Sequence, residues 1–290
     1  MKNSDALLNP AVPRILILGG TGRIGGLLRR SWEDRGRFGI LPIWQGRRAQ
    51  DGVDVVLDPL ADPAALRDAV RSCDVVVNLA GAPRGTAQEL RQHRLLAEAA
   101  LAACAGERPL IVASSAAVYG ASEGVLRETQ PLAPVSAYGI AKQDMEAALS
   151  GASRCAVLRI GNVAGADSLL GQEAPPEGFR LHVLEQNRSL RRSYIGPQAL
   201  AFALARLARL MASGVAVPPV LNLALPGTVS MAGLVEAAGF AWTASPAPSG
   251  AIASVELDVS LAIRAGLVPE APVTPEGVVD DWLSVTRAMV

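Results

Sequence analysis

Two residues four apart, Tyr138 and Lys142 in "SAYGIAKQDME", and a serine pair, Ser114 and Ser115 in "ASSAAVYG", are the groups of this chain best suited to chemistry. On a helix the tyrosine and lysine share one face. A phenol with a pKa of about 10 is a poor base at neutral pH. An ammonium beside it favours the phenolate, which can exchange a proton with a hydroxyl or carbonyl. A serine at a neighbouring strand end would hold that same oxygen. Of 27 basic residues only Lys2 and Lys142 are lysine, so a lysine inside the folded body calls for a local reason.

Such proton exchange becomes hydride chemistry when a nicotinamide cofactor lies alongside. "ILGGTGRIGG" places Gly19, Gly22 and Gly25 directly after an apolar run, with a helical pattern following. Glycine permits the tight turn and lets the backbone approach a pyrophosphate at the helix N-terminus. The spacing is G-x-x-G-x-x-G rather than G-x-G-x-x-G, so the strand–loop–helix context carries the reading. An NAD site usually places an acidic residue on the ribose after the second strand. Here that segment is "IWQGRRAQ", with Gln45 near the expected position and Arg47 and Arg48 behind it. Arginine suits a 2′-phosphate, and Arg23 could add to it, so the expected cofactor is NADP in preference to NAD. In an arginine-rich chain the same pair also fits a solvated surface.

The elements that must hold these groups are legible as apolar runs. "RILILGG", "ILPIW", "DVVLD", "DVVVNLAG", "LIVASSA", "CAVLRIGN" and "VLNLAL" read as buried parallel strands. Helices are expected at 27–35, after the Asp62–Pro63 cap, over 86–106 as one long helix, near 137–149 and over 197–214. In the last, Leu200, Leu204, Leu207 and Met211 share a face. Alternation of strand and helix predicts an α/β fold with a doubly wound parallel sheet. Residues 13–165 plus 194–224 are read as the dinucleotide-binding domain. Residues 166–193 plus 225–290, richer in Pro and Gly, are read as a small substrate-binding lobe near the carboxyl ends of the strands.

Composition excludes several classes. The chain has 290 residues, with 27 basic and 27 acidic. The balance argues against a nucleic-acid binder. Cys73, Cys104 and Cys155 form no disulfide framework and suit a reducing cytoplasm. The weakly charged stretch 210–255 is interrupted by prolines, so no membrane span fits. The first thirteen residues read as a disordered lead-in rather than a signal peptide. Gly120–Gly124 matches G-x-S-x-G, but no helix follows Ser122, against a nucleophile elbow. His93 and His182 are lone histidines; a packed or solvated position is expected, with a proton relay the alternative for His93. No cluster has metal-ligand spacing.

Taken together, these residues resemble the extended short-chain dehydrogenase/reductase family, its NAD-dependent epimerase/dehydratase group, over nearly the whole chain. "GGTGRIG" is similar to the cofactor loop, which implies roles for Arg23 and Ile24 beside the glycines. "LDPLAD" resembles the segment whose aspartate, here Asp58, contacts adenine. "NLAG" resembles the strand end along the cofactor and implicates Leu79, Ala80 and Gly81. "SSAAVYG" implies Ser115 as the catalytic serine, with Tyr138 and Lys142 as the catalytic pair. Ser114 and Ala116, flanking it, are placed on the substrate side. "LRIGNVAG" implies Asn162 facing substrate, though it also suits a strand end. "RRSYIGPQALA" puts Arg192 where a substrate phosphate contact often sits, though a surface charge fits as well. The family's H-V-x-D reads Gly196-Pro197-Gln198-Ala199 here. Ala116 and Ala117 stand where dehydratases carry an acidic pair, which argues against elimination chemistry.

The resemblance implies a cytoplasmic epimerase or oxidoreductase acting on a sugar or nucleotide sugar. The alternatives are an NADP-dependent carbonyl reductase of a smaller substrate and a non-catalytic dinucleotide sensor. A homodimer is expected through helices 86–105 and 137–149, with Leu90, Leu96, Ala97, Ala100, Leu101 and Cys104 as the apolar contact face.

Overall fold

The computed structural model describes residues 12–33, 38–122 and 124–286. The expected lead-in up to residue 11, and Asp34 and Arg35 of the first expected helix, lie outside them. Seven strands form one parallel sheet: β1 (Arg14–Leu18), β2 (Leu41–Gly46), β3 (Val55–Val56), β4 (Val75–Asn78), β5 (Leu110–Ser115), β6 (Cys155–Ile160) and β7 (Val220–Leu223). Their order is β7-β6-β5-β4-β1-β2-β3. The direction of winding reverses between β1 and β4, which pair Leu18 with Asn78. A doubly wound sheet binds its ligand in the crevice at that reversal.

The continuous apolar runs are explained by two covered faces. Ile15, Ile17, Val75 and Val77 enter one core cluster, and Leu16, Leu18, Val76 and Val112 the other. Side chains alternate across a strand, so a sheet buried on both sides needs apolar residues at every position.

Helices α1 (Arg23–Ser31), α2 (Pro63–Arg71), α3 (Ala87–Leu90), α4 (Gln92–Cys104), α5 (Ala137–Ala148) and α6 (Pro197–Ala212) cover these faces. Asp62 caps α2 through the Ala65 amide, with proline at the helix start. The expected single helix over 86–106 is two. Thr86 and Glu89 form a reciprocal capping box that opens α3, and the break falls at Arg91, which ends α3 and starts α4.

The α4 face expected to meet a second copy is core instead. Ala97 is 0% exposed and packs with Val76 and Met145, and Leu90, Leu96, Ala100 and Cys104 are buried with it. Small alanines let α4 approach its own sheet closely, so the wide apolar face serves the protomer itself.

A third cluster lies beyond the strand ends, where Leu169, Phe179, Leu181, Tyr194, Val235 and Val278 pack together. Short strands carry it: Phe179–Val183 pairs with Trp242–Pro246, and Arg191–Arg192 with Ser254–Val255 and Val229–Ser230. The family-type polar residues missing from 196–199 are replaced from a distance. Asp281 accepts the Gln198 and Ala199 amides at the start of α6, 2.7 and 3.0 Å away. Among the described residues, no helix is long and apolar enough to cross a membrane.

Candidate active site

β1 runs into the glycine loop, and two close approaches explain its composition. Gly19 has φ +80, and a Cβ there would stand 2.8 Å from the Ala80 backbone. A Cβ on Gly25 would stand 2.5 Å from the Gly20 carbonyl oxygen. Gly22 opens α1 with no side-chain cap, leaving first-turn amides available to an anion. Gln45 fixes the loop: its Oε1 accepts the Gly19 amide at 2.9 Å and its Nε2 donates to Leu57 O at 2.7 Å. Gln45 is therefore a buried brace of the loop.

Two cavities meet at this loop, sharing Gly19, Gly22, Leu79 and Gly81 in their walls. The larger, about 490 Å³, is lined also by Arg47, Asp58 and Ala80. Asp58 uses Oδ1 to accept the Leu60 and Ala61 amides. Arg48 is exposed and lines neither cavity, so one arginine rather than two stands on this wall. The second cavity, about 200 Å³, is lined by Arg23, Ile24 and Gly25 and, from the far side of the crevice, by Ser115, Tyr138 and Lys142. An elongated dinucleotide fits this pair of connected cavities and their amide-lined junction.

The expected triad does converge. Ser115 ends β5, and Ser136 caps α5 by accepting the Gly139 amide at 3.0 Å, which starts the helix so that Tyr138 and Lys142 face the strand end. Burial pushes the Tyr138 phenol up, and a hydrogen bond with Ser115 partly lowers it. Lys142 is 5% exposed. Its Nζ donates to Ala113 O at 2.6 Å and lies 5.8 Å from the Tyr138 ring centre. Burial depresses its pKa to about 7, against the raising effect of Glu146. The lysine is thus held beside the phenol by a backbone carbonyl.

Ser114 lines the cavity, but its hydroxyl donates to the Glu146 carboxylate. Glu146 is also gripped by Arg159, with Nη2 to Oε2 at 2.7 Å. Arg159 donates onward to the Tyr119 hydroxyl at 3.0 Å, and that hydroxyl donates to Asn222 Oδ1 at 2.6 Å. Ser114 therefore ends a buried network at the cavity wall. Ala116 begins a short 3-10 turn and lines neither cavity. Asn162 also lines neither; it sits beside the Tyr194 hydroxyl. Arg192 is turned away as well, its Nη1 donating to Ile252 O at 3.0 Å and Arg191 O at 2.6 Å.

Two more residues stand on this wall: His93, for which a packed position or a proton relay is expected from the sequence, and Asp167, which sequence reasoning missed. His93 on α4 stacks edge-on against Tyr138, with ring centres 5.5 Å apart. Its Nε2 contacts Ala82 O at 2.8 Å, its Nδ1 is buried without a partner, and burial with the Lys142 charge lowers its pKa to about 4. The ring is neutral near pH 7, and it packs on Gly81, where a Cβ would lie 2.1 Å from Nδ1. Asp167 lines the same cavity, with its pKa raised by burial against donation from Tyr194 and backbone amides. No short motif marks either one. For Asp167, the one usable signal was its place just past a strand's carboxyl end.

Solved structures share this fold. A UDP-glucose 4-epimerase of Azospirillum brasilense is 33% identical over 187 residues, covering 57% of this chain. The chain spans about half the length of that curated relative, 54%. A Stenotrophomonas maltophila UDP-glucose-4-epimerase with bound NAD and formylated UDP-arabinopyranose superposes with a TM-score of 0.77 at 20% identity, covering 96% of this chain and 98% of its own. The Brucella ovis UDP-glucose 4-epimerase in complex with NAD gives 0.75 at 20% identity, covering 92% and 96%. These structures are alike in fold. Residues 15–189 match the NAD dependent epimerase/dehydratase family. The chain belongs to that family, within the extended short-chain dehydrogenase/reductase enzymes.

Proposed function

We propose that the protein is an NAD-dependent epimerase that inverts a hydroxyl-bearing carbon of a nucleotide sugar. The observation that carries this reading is the convergence of Ser115, Tyr138 and Lys142 in one cavity that opens onto the glycine loop. The glycine loop with Arg23 and Ile24 would hold the pyrophosphate, Asp58 the adenosine end, and Leu79 to Gly81 the length of the dinucleotide. NAD, when bound, supplies a hydride acceptor that can return what it takes. Tyr138 takes the proton of the substrate hydroxyl and returns it, so that its own ionisation is restored at the end of the cycle. Ser115 holds the same oxygen, and Lys142, held by the Ala113 carbonyl, lies beside the ring. Ala116 and Ala117 offer no carboxylate for elimination. Ala166 and Asp167 supply part of the remaining wall.

The printed activity of the relatives selects the first substrate to try. Purified protein with NAD and UDP-glucose should yield the 4-epimer, read by proton NMR. Tyr138→Phe should lower the rate at least ~10²-fold while NAD affinity stays within about twofold, by calorimetry. Failure to isomerise any nucleotide sugar would end this reading.

One observation favours the reductase of a smaller substrate as the second reading. Arg192, the cation expected for a substrate phosphate, is committed to backbone carbonyls. Its signature would be steady oxidation of NADH or NADPH by a small carbonyl compound, with no epimer formed.

A further inference from the structure

Asp167 is the charged group of the reactive cavity that the proposed mechanism leaves unused. It lies in the loop beyond β6 and lines the same walls as Ser115, Tyr138 and Lys142. Neutral donors hold its carboxylate: the Leu170 amide reaches Oδ1 at 2.9 Å, the Tyr194 hydroxyl reaches Oδ2 at 2.6 Å, and the Leu169 amide lies beside them. Its own amide donates to Val163 O at 3.1 Å. Tyr194 is fully buried, and its strand pairs with Asn162–Val163, so the support is itself fixed. None of the ion pairs among the described residues includes Asp167.

A carboxylate offers about four acceptor positions, and every donor the described residues supply here, the Leu169 and Leu170 amides and the Tyr194 hydroxyl, is neutral. The cations on the same wall are Arg23, exposed on the glycine loop, and Lys142, whose ammonium is held by Ala113 O. A half-buried carboxylate with neutral donors alone favours a ligand that brings donors and disfavours one that brings negative charge.

We propose that Asp167 is a specificity-determining residue, accepting a hydrogen bond from a hydroxyl or ammonium group of the sugar and rejecting sugars that carry a carboxylate. The proposal rests on the nucleotide-sugar reading and narrows it to neutral and amino sugars. Tyr194 acts through Asp167 as a positioning residue.

The test is calorimetric titration of the NAD-loaded protein with UDP-glucose, UDP-glucosamine and UDP-glucuronic acid, for wild type and for Asp167→Asn. Asparagine keeps the size and one acceptor and removes the charge. Wild type should bind the neutral and amino sugars at least ~10-fold more tightly than the uronate, about 1.4 kcal/mol. In Asp167→Asn that preference should shrink by at least ~10-fold, through both tighter uronate binding and weaker binding of the amino sugar. Equal wild-type affinity for all three, discrimination unchanged in the variant, or binding of none of them would overturn the proposal. Binding with the expected discrimination but no epimer formed would instead defeat the epimerase reading and leave Asp167's role standing. Tyr194→Phe, which removes the donor to Oδ2, should move discrimination in the same direction by a smaller factor; no change there would limit the effect to charge alone and overturn the positioning role.

Discussion

Replacing Lys142 by methionine should abolish activity and at the same time make the protein more stable. Burial depresses the lysine pKa from 10.5 to about 7. Keeping that cation in place below neutral pH costs about 5 kcal/mol by linkage. Methionine has a similar length, and its thioether would lie beside the Met145 sulfur, which is 3.9 Å from Nζ. The Ala113 carbonyl would lose its donor, at a cost of about 1–3 kcal/mol. The net expectation near pH 7 is a gain of about 2 kcal/mol.

The pH dependence provides a sharper check. Because the folded pKa of this base lies below its unfolded value, the unfolded chain binds more protons between about pH 7 and 10.5. Wild-type stability therefore rises with pH through that window. His93, lowered from 6.5 to about 4, completes its own rise below the window. The buried thiols, raised from 9.0 to about 11 for Cys73 and Cys155 and about 12 for Cys104, oppose it only towards pH 9. Between about pH 7 and 8.5 the wild type should gain about 1.5 kcal/mol from Lys142, and the methionine variant should be flat. Urea unfolding followed by circular dichroism measures both. A variant less stable than wild type at pH 7, or parallel pH curves for the two proteins, would refute the reasoning.

Arg159→Met should destabilise by about 3–5 kcal/mol by stranding the buried Glu146 carboxylate, and adding Glu146→Gln should restore most of it; a single-variant loss under about 1 kcal/mol in urea melts would contradict the network. Arg47→Ala should weaken NADP more than NAD, because only NADP carries the 2′-phosphate that a guanidinium can fork onto; equal losses by calorimetry would show that Arg47 does not read the phosphate. A homodimer is expected through the groove between α4 and α5, where Leu95 and Ile140 stay 44% and 47% exposed. Leu95→Glu with Ile140→Glu should then give a folded monomer near 30.0 kDa by light scattering, whereas a wild-type mass near that value at micromolar concentration would end the idea.

What the sequence determined by itself is local. The glycine loop is legible because close backbone contacts admit only glycine, and the Tyr138–Lys142 face because helical spacing is fixed by geometry. Strands buried on both faces announce themselves as unbroken apolar runs, and Asp62 with Pro63 as a helix start. What only the tertiary structure decided involves groups far apart in the chain whose meeting no spacing encodes. Asp281 caps a helix more than eighty residues earlier, Tyr194 holds Asp167 across 27 positions, and Glu146 takes the Ser114 hydroxyl from across 32. The same holds for Ala97, whose apolar face suited a partner as well as a core until packing placed the sheet against it. Ionisation belongs with these. A lysine's pKa follows from the water that burial removes and the charges that burial brings near, and both are properties of the assembled fold.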